Sequence, residues 1–152
     1  MSGLSPKQNR EVPPLDYERV YKIKQNFPNT QISINGGITS YEQANTHLNH
    51  LDGVMIGREV YQNPFMLVEA DKEIWGDSYT PLTRPDIIDI MAEYCDRYVS
   101  EGGRVWHVAR HMLGLCNGLG GAKQYRRFLS ENARREGAAG DFLKEAFALV
   151  TL

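Results

Sequence analysis

The chain has 152 residues, 41% of them hydrophobic, and a formal net charge of -2. That is enough globular material for one domain or two small ones, and no apolar run approaches the roughly 20 residues that a membrane-spanning helix needs. Met1–Pro6 has no signal-peptide pattern, and Cys95 and Cys116 lack CxxC or zinc spacing, so both are expected as reduced core thiols of a cytosolic protein.

The first fifteen residues, with Pro6, Pro13 and Pro14, predict a loop. Asp16 then caps a helix whose expected buried stripe is Val20, Ile23 and Phe27, ended by Pro28-Asn29. Ile32 and Ile34 alternate into a short strand that stops at Asn35-Gly36-Gly37. Thr39 with Glu42, or Ser40 with Gln43, forms a capping box for a second helix with Tyr41, Ala44 and Leu48 on its apolar face. Val54-Met55-Ile56 is continuous rather than alternating, the pattern of a strand buried on both faces, and Gly57-Arg58 ends it. Helical segments follow on either side of Pro64 as far as Trp75.

Helix, strand, helix, strand, helix predicts α/β architecture with parallel pairing. Two parallel strands do not make a stable sheet by themselves, so this piece reads as the C-terminal part of a (β/α)8 TIM barrel. Residues 76–85, "GDSYTPLTRP", read as a linker. Beyond it the periodicity is helical only. One helix carries Ile87, Ile88, Met91, Tyr94, Cys95 and Tyr98, capped by Thr83 with Asp86. A second carries Val105, Val108, Ala109, Met112 and Leu113, and a third Ala122, Tyr125, Phe128 and Leu129. Asp141 caps a fourth with Phe142, Leu143, Ala146 and Phe147. Four helices with short connections predict a small bundle. The expected domains are 1–75 as an incomplete barrel, 76–85 as a linker and 86–152 as the helical part.

In a (β/α)8 barrel the loops after the last strands often cradle a phosphate, because glycines admit the oxygens to backbone N–H groups and a following helix adds its dipole. Asn35, Gly36, Gly37, Gly57 and Arg58 stand at such positions, and simple turn glycines are the alternative. From Arg104 to Arg135 seven basic residues meet a single carboxylate, Glu131. Lys123, Arg126 and Arg127 share one helix face opposite Tyr125, Phe128 and Leu129. That stripe suits a nucleic-acid backbone, or is a solvated surface without i,i+4 carboxylate partners. His107 and His111, four apart, have a spacing that ligates metal, but no third ligand accompanies them, and surface or RNA-adjacent roles are expected instead.

"GLSPKQNREVPPLDYERVYKIKQNFPN", "INGGI", "DGVMIGREVYQNP" and "GGAKQYRRFLSENARR" together resemble the bacterial tRNA-dihydrouridine synthases of the A type, over nearly the whole chain and in the right order. The resemblance implies an FMN-binding TIM barrel followed by a helical domain that grips tRNA, with NADPH as the reductant that turns uridine in the D-loop into 5,6-dihydrouridine. It implies FMN-phosphate contacts at Asn35, Gly36, Gly37, Gly57 and Arg58, and tRNA contacts at Lys7, Arg10, Lys123 and Arg126. It implies no catalytic residue here: the family's catalytic cysteine lies in a preceding half, and neither Cys95 nor Cys116 takes its place. The chain is therefore expected to be the C-terminal portion of such an enzyme, inactive alone, cytoplasmic, and without metal or membrane partners. A non-catalytic RNA-binding module, or another phosphate-binding flavin barrel, are the alternatives.

Overall fold

The computed structural model describes residues 5, 14–76, 80–135 and 137–152. It is mostly helical with one small parallel sheet, which is consistent with a partial barrel. The chain divides into two compact units, one ending at Gly57 and the other running from Arg58 to Leu152.

The first unit is built from α1 (Tyr17–Asn26), β1 (Ser33–Asn35), α2 (Tyr41–Leu48) and β2 (Gly53–Met55). Asp16 caps α1 by accepting from the Arg19 N–H at 3.0 Å. β1 and β2 pair in parallel with Ser33 opposite Gly53 and Asn35 opposite Met55, so the chain leaves both strands at the same edge. Ile34, Ile38, Ala44 and Leu51 form the core, with Tyr17, Val20 and Tyr21 packed on it.

The stripe on α1 is therefore Tyr17, Val20 and Tyr21, spaced i, i+3, i+4. Ile23 and Phe27, expected to be buried, are 43% and 60% exposed. They lie about a quarter turn around the helix, and a two-stranded sheet is too narrow to cover both faces. The same narrowness corrects β2, whose Met55 is 55% exposed rather than enclosed on both sides. On α2 the cap is Ser40, which accepts from the Gln43 N–H, while the Gln43 side chain accepts from the Thr39 N–H at 2.8 Å. Leu48 is exposed, and His47 takes the inward position instead, its Nδ1 2.7 Å from the Tyr21 hydroxyl. Lys24 and Asp52 fasten the unit: the Asp52 carboxylate accepts from Lys24 Nζ and from the Ile32 N–H, both at 2.8 Å. These bonds, that of Lys24 first, hold the Asp52 carboxyl below its ordinary pKa.

The second unit comprises α3 (Arg58–Gln62), a 3-10 helix (Pro64–Glu69), α4 (Ala70–Trp75), α5 (Arg84–Ser100), α6 (Val105–Ala109), α7 (Ala122–Asn132) and α8 (Asp141–Phe147). α5 opens with the full capping box: Thr83 Oγ1 accepts from the Asp86 N–H, and the Asp86 carboxylate accepts from the Thr83 N–H at 2.8 Å. Ile88, Cys95, Val108, Met112, Tyr125, Leu129, Phe142 and Leu143 are among the buried residues of one continuous core.

The second expected helix is shorter than its periodicity suggests. It ends at Ala109, and residues 110–118 continue as consecutive turns, since the glycines 114, 118, 120 and 121 do not sustain a helix. Met112, Leu115 and Cys116 still reach the core from these turns. Asp141 does not cap α8. Gly140 takes that position, and its N–H donates to Asp96 Oδ1 on α5 at 2.7 Å.

Candidate phosphate loop and nucleic-acid interface

In the first unit, β1 ends at Asn35 and the chain turns through Gly36 at φ +127° and Gly37 at φ +66°. Side-chain-bearing residues are strained at such angles, so the two glycines are what allow the turn. The turn is fastened on one side by Tyr17, whose hydroxyl donates to the Gly36 carbonyl at 2.6 Å. A Cβ on Gly37 would lie 2.9 Å from Leu15 Cδ1 and 3.1 Å from the Tyr17 hydroxyl. Asn35 and Gly37 remain exposed, and α2 begins four residues later. Gly57, also exposed, follows β2 at the same edge of the sheet. Arg58 is the first residue of α3 in the second unit, exposed and without an ion pair among the described residues. Along the chain, then, the candidate phosphate residues follow in order: a bare glycine turn after β1, a second glycine after β2 and, as the next residue in sequence, Arg58. Lys7 and Arg10 lie outside the described residues.

On α7, Tyr125 and Leu129 are fully buried and Phe128 is half-buried, so the opposite face is solvent-exposed. Lys123 has no ion pair among the described residues. Arg126 is held by Asn117, its Nη1 donating to Oδ1 at 2.6 Å, and Asn117 in turn donates to the Gln62 carbonyl on α3. The basic face is less free of carboxylates than expected. Arg127 pairs with Glu131 at 2.9 Å, an i,i+4 pair, and Arg135 pairs with Glu145 of α8 at 3.2 Å. Proximity along the helix made the first pair available, and packing of α8 supplied the second. Lys123 and Arg126 keep their charges unmatched.

His107 and His111 do not share a helix, because α6 stops at Ala109. His107 Nδ1 is 3.0 Å from the Tyr98 hydroxyl, whereas His111 accepts from Arg110 Nε at 3.0 Å and contacts the Tyr61 hydroxyl at 3.2 Å. Among the described residues no group of His, Cys, Asp or Glu is arranged to hold a metal ion. Nor is any helix there long and apolar enough to cross a membrane. Two clefts flank α6. One of about 600 Å³ is lined by Arg104, Trp106, Arg134 and Arg135, and one of about 450 Å³ by Tyr94, Tyr98, His107, Arg110 and His111. The sequence reading missed both; the i,i+4 spacing of Tyr94 and Tyr98 was the available signal for the second.

Both cysteines are buried. Burial pushes the Cys116 thiol up to about 11 and raises Cys95 as well, with the Asp96 charge adding to the latter. Neither is an accessible proton donor.

A parallel sheet ending in glycine turns is followed along the chain by a helical unit with a basic face, and the chain belongs to the dihydrouridine synthase (Dus) family, whose sequence model matches residues 3–151. It is 53% identical over 150 residues to the tRNA-dihydrouridine(20/20a) synthases of Shewanella oneidensis and of Escherichia coli K12, and 50% identical to that of Vibrio cholerae. Each alignment covers 99% of this chain but only 44–46% of the relative, so the chain spans under half the length of the curated relatives it matches.

Proposed function

We propose that this chain is the FMN-phosphate-binding and tRNA-gripping portion of a tRNA-dihydrouridine synthase. On this reading residues 1–75 are the end of an FMN-binding (β/α)8 barrel, 76–85 the linker and 86–152 a four-helix tRNA-binding domain working in the cytoplasm. The observation that carries it is the unmatched pair of cations on α7, Lys123 and Arg126, displayed by a helix whose opposite face is locked into the core.

The donor set fits the phosphate of FMN. Asn35, Gly36, Gly37 and Gly57 offer exposed or half-exposed backbone at one sheet edge, and Arg58, the next residue in sequence, is a forked donor with no ion pair among the described residues. FMN held by these residues would supply the hydride chemistry for uracil C6, with NADPH as the reductant. The chain's own residues hold the phosphate and seat the RNA: Lys7 and Arg10 join the tRNA contacts ahead of α1, and Lys123 and Arg126 act on backbone phosphates. Protonation of uracil C5 needs an accessible acid, and buried Cys95 and Cys116 do not supply one.

The test is a titration of unmodified tRNA against the chain at several salt concentrations. Changing Lys123 and Arg126 together to Ala is expected to weaken binding and flatten the salt slope by about one to two units. Helix content by circular dichroism should stay the same, because neither side chain reaches the core. Equal affinity and slope for parent and variant would reduce the basic face to solvated surface.

A further inference from the structure

We propose that the cleft formed by Tyr94, Tyr98, His107, Arg110 and His111 is a nucleobase-stacking subsite for an unpaired stretch of RNA, a proposal that rests on the RNA-binding reading above. Tyr94 and Tyr98 stand one turn apart on α5, with ring planes 11° from parallel and centroids 6.1 Å apart. Tyr98 is tethered by its hydroxyl to His107, while Tyr94 keeps 45% of its surface in solvent. A held ring beside an exposed one makes a platform, and any base has a π-face to lay on it.

The polar groups around the rings are set to donate. Arg110 Nε donates to His111 Nε2, which assigns that nitrogen the lone pair and puts the imidazole proton on Nδ1, toward the Tyr61 hydroxyl oxygen. The Tyr61 hydroxyl proton and the terminal nitrogens of Arg110 are then left to meet acceptors, such as base carbonyls and phosphate oxygens. Tyr61 is 61% exposed and lies one turn beyond Arg58 on α3, so this end of the platform adjoins the residue assigned to the flavin phosphate.

Charge selects RNA over a protein partner. No carboxylate lines the cleft. The acidic residues of α5 are engaged elsewhere: Asp86 closes the capping box with Thr83, Asp89 pairs with Lys144 at 3.0 Å, Glu93 adds to the field at that same lysine, and Asp96 accepts from Gly140. α5 thus separates an acidic stripe, spent on α8, from an aromatic stripe beside Arg110. A cleft of about 450 Å³ is large enough for a single nucleoside.

The experiment measures fluorescence anisotropy of a labelled, unmodified tRNA transcript with the 152-residue chain and its variants across a salt series. Tyr94→Ala is expected to raise Kd about fivefold or more with the salt slope unchanged, since stacking releases no counterions. Tyr94→Trp should restore affinity, and Arg110→Ala should weaken binding while lowering the slope by about one unit. Thermal unfolding of the Tyr94 variants should match the parent. If the Tyr94 and Arg110 variants bind as the parent does while the Lys123/Arg126 double variant is weakened, the subsite falls and the RNA reading stands. If the parent binds no tRNA, both fall. If Tyr94→Ala leaves RNA binding intact but abolishes self-association in sedimentation velocity, the face is a protein contact and the proposal is overturned.

Discussion

Asp96 shows how one bond can hold two helices together. Its Oδ1 accepts from the Gly140 N–H at 2.7 Å, and Gly140 is buried where α8 approaches α5. The approach is close: a Cβ on Gly140 would lie 2.4 Å from the Ala92 carbonyl oxygen. Replacing Asp96 with Ala removes the side-chain acceptor of the buried Gly140 N–H. A hydrogen bond to a charged acceptor contributes about 1.5–3 kcal/mol, which in a domain of this size should lower the melting temperature by roughly 6 °C or more. Asp96→Asn keeps an acceptor oxygen and loses only the charge assistance, about half the effect. Glu131→Ala is the control. Its bond to Arg127 is nearly as short at 2.9 Å, but the partners are 58% and 75% exposed, so about 0.5 kcal/mol or less is expected. The assay is calorimetry or urea unfolding of the three variants. If Asp96→Ala is no worse than Glu131→Ala, or Asp96→Asn is as damaging as Asp96→Ala, then the buried donor does not depend on this carboxylate and the reasoning is wrong.

Thr83→Ala removes the cap of α5 and should cost about 1 kcal/mol by urea unfolding. The Thr83 hydroxyl and N–H hold the Asp86 carboxyl below its ordinary pKa, so its contribution is present above about pH 4 and is lost as pH falls through the folded-state value; a parent and a Thr83→Ala variant with the same acid dependence would contradict this. Cys95 and Cys116 should resist iodoacetamide at pH 8 until the second unit unfolds, and rapid labelling of native protein, read by mass spectrometry, would show that the thiols are reachable. The chain by itself, given FMN, NADPH and unmodified tRNA, should form no dihydrouridine; product detected by nucleoside mass spectrometry would place a proton donor among the residues present.

What was legible in the sequence is what local rules govern. The caps at Asp16, Ser40 and Thr83 are set by side chains reaching three residues along their own chain; those at Asp16 and Thr83 form as expected, and Ser40 is the one of the two expected alternatives that forms. The periodicity that placed Ile88, Cys95, Tyr125 and Leu129 inside is a property of a single helix. Burial of Ile23, Phe27 and Met55 was misjudged because it depends on how wide a surface the sheet presents, which no periodicity contains. His47 was passed over because its inward position depends on Tyr21, 26 residues away. In the candidate site, the glycine turn and the Lys123/Arg126 pair could be read directly. The Asn117 tether of Arg126 and the partners of His107 and His111 could not, since they join turns and helices up to 50 residues apart.

The two hydrophobic clusters differ sharply in size. Among the described residues, four are buried in the cluster beneath the sheet, against sixteen in that of the helical unit. Opening free energy follows buried apolar contact, so amide protons of the first unit should exchange with solvent well before those of α5, α7 and α8. Mild denaturant would then dissolve the glycine turn while the α7 cations stay in place. The chain has a built-in order of loss, in which the sheet unit with its glycine turn melts first and the helical unit with the α7 cations persists.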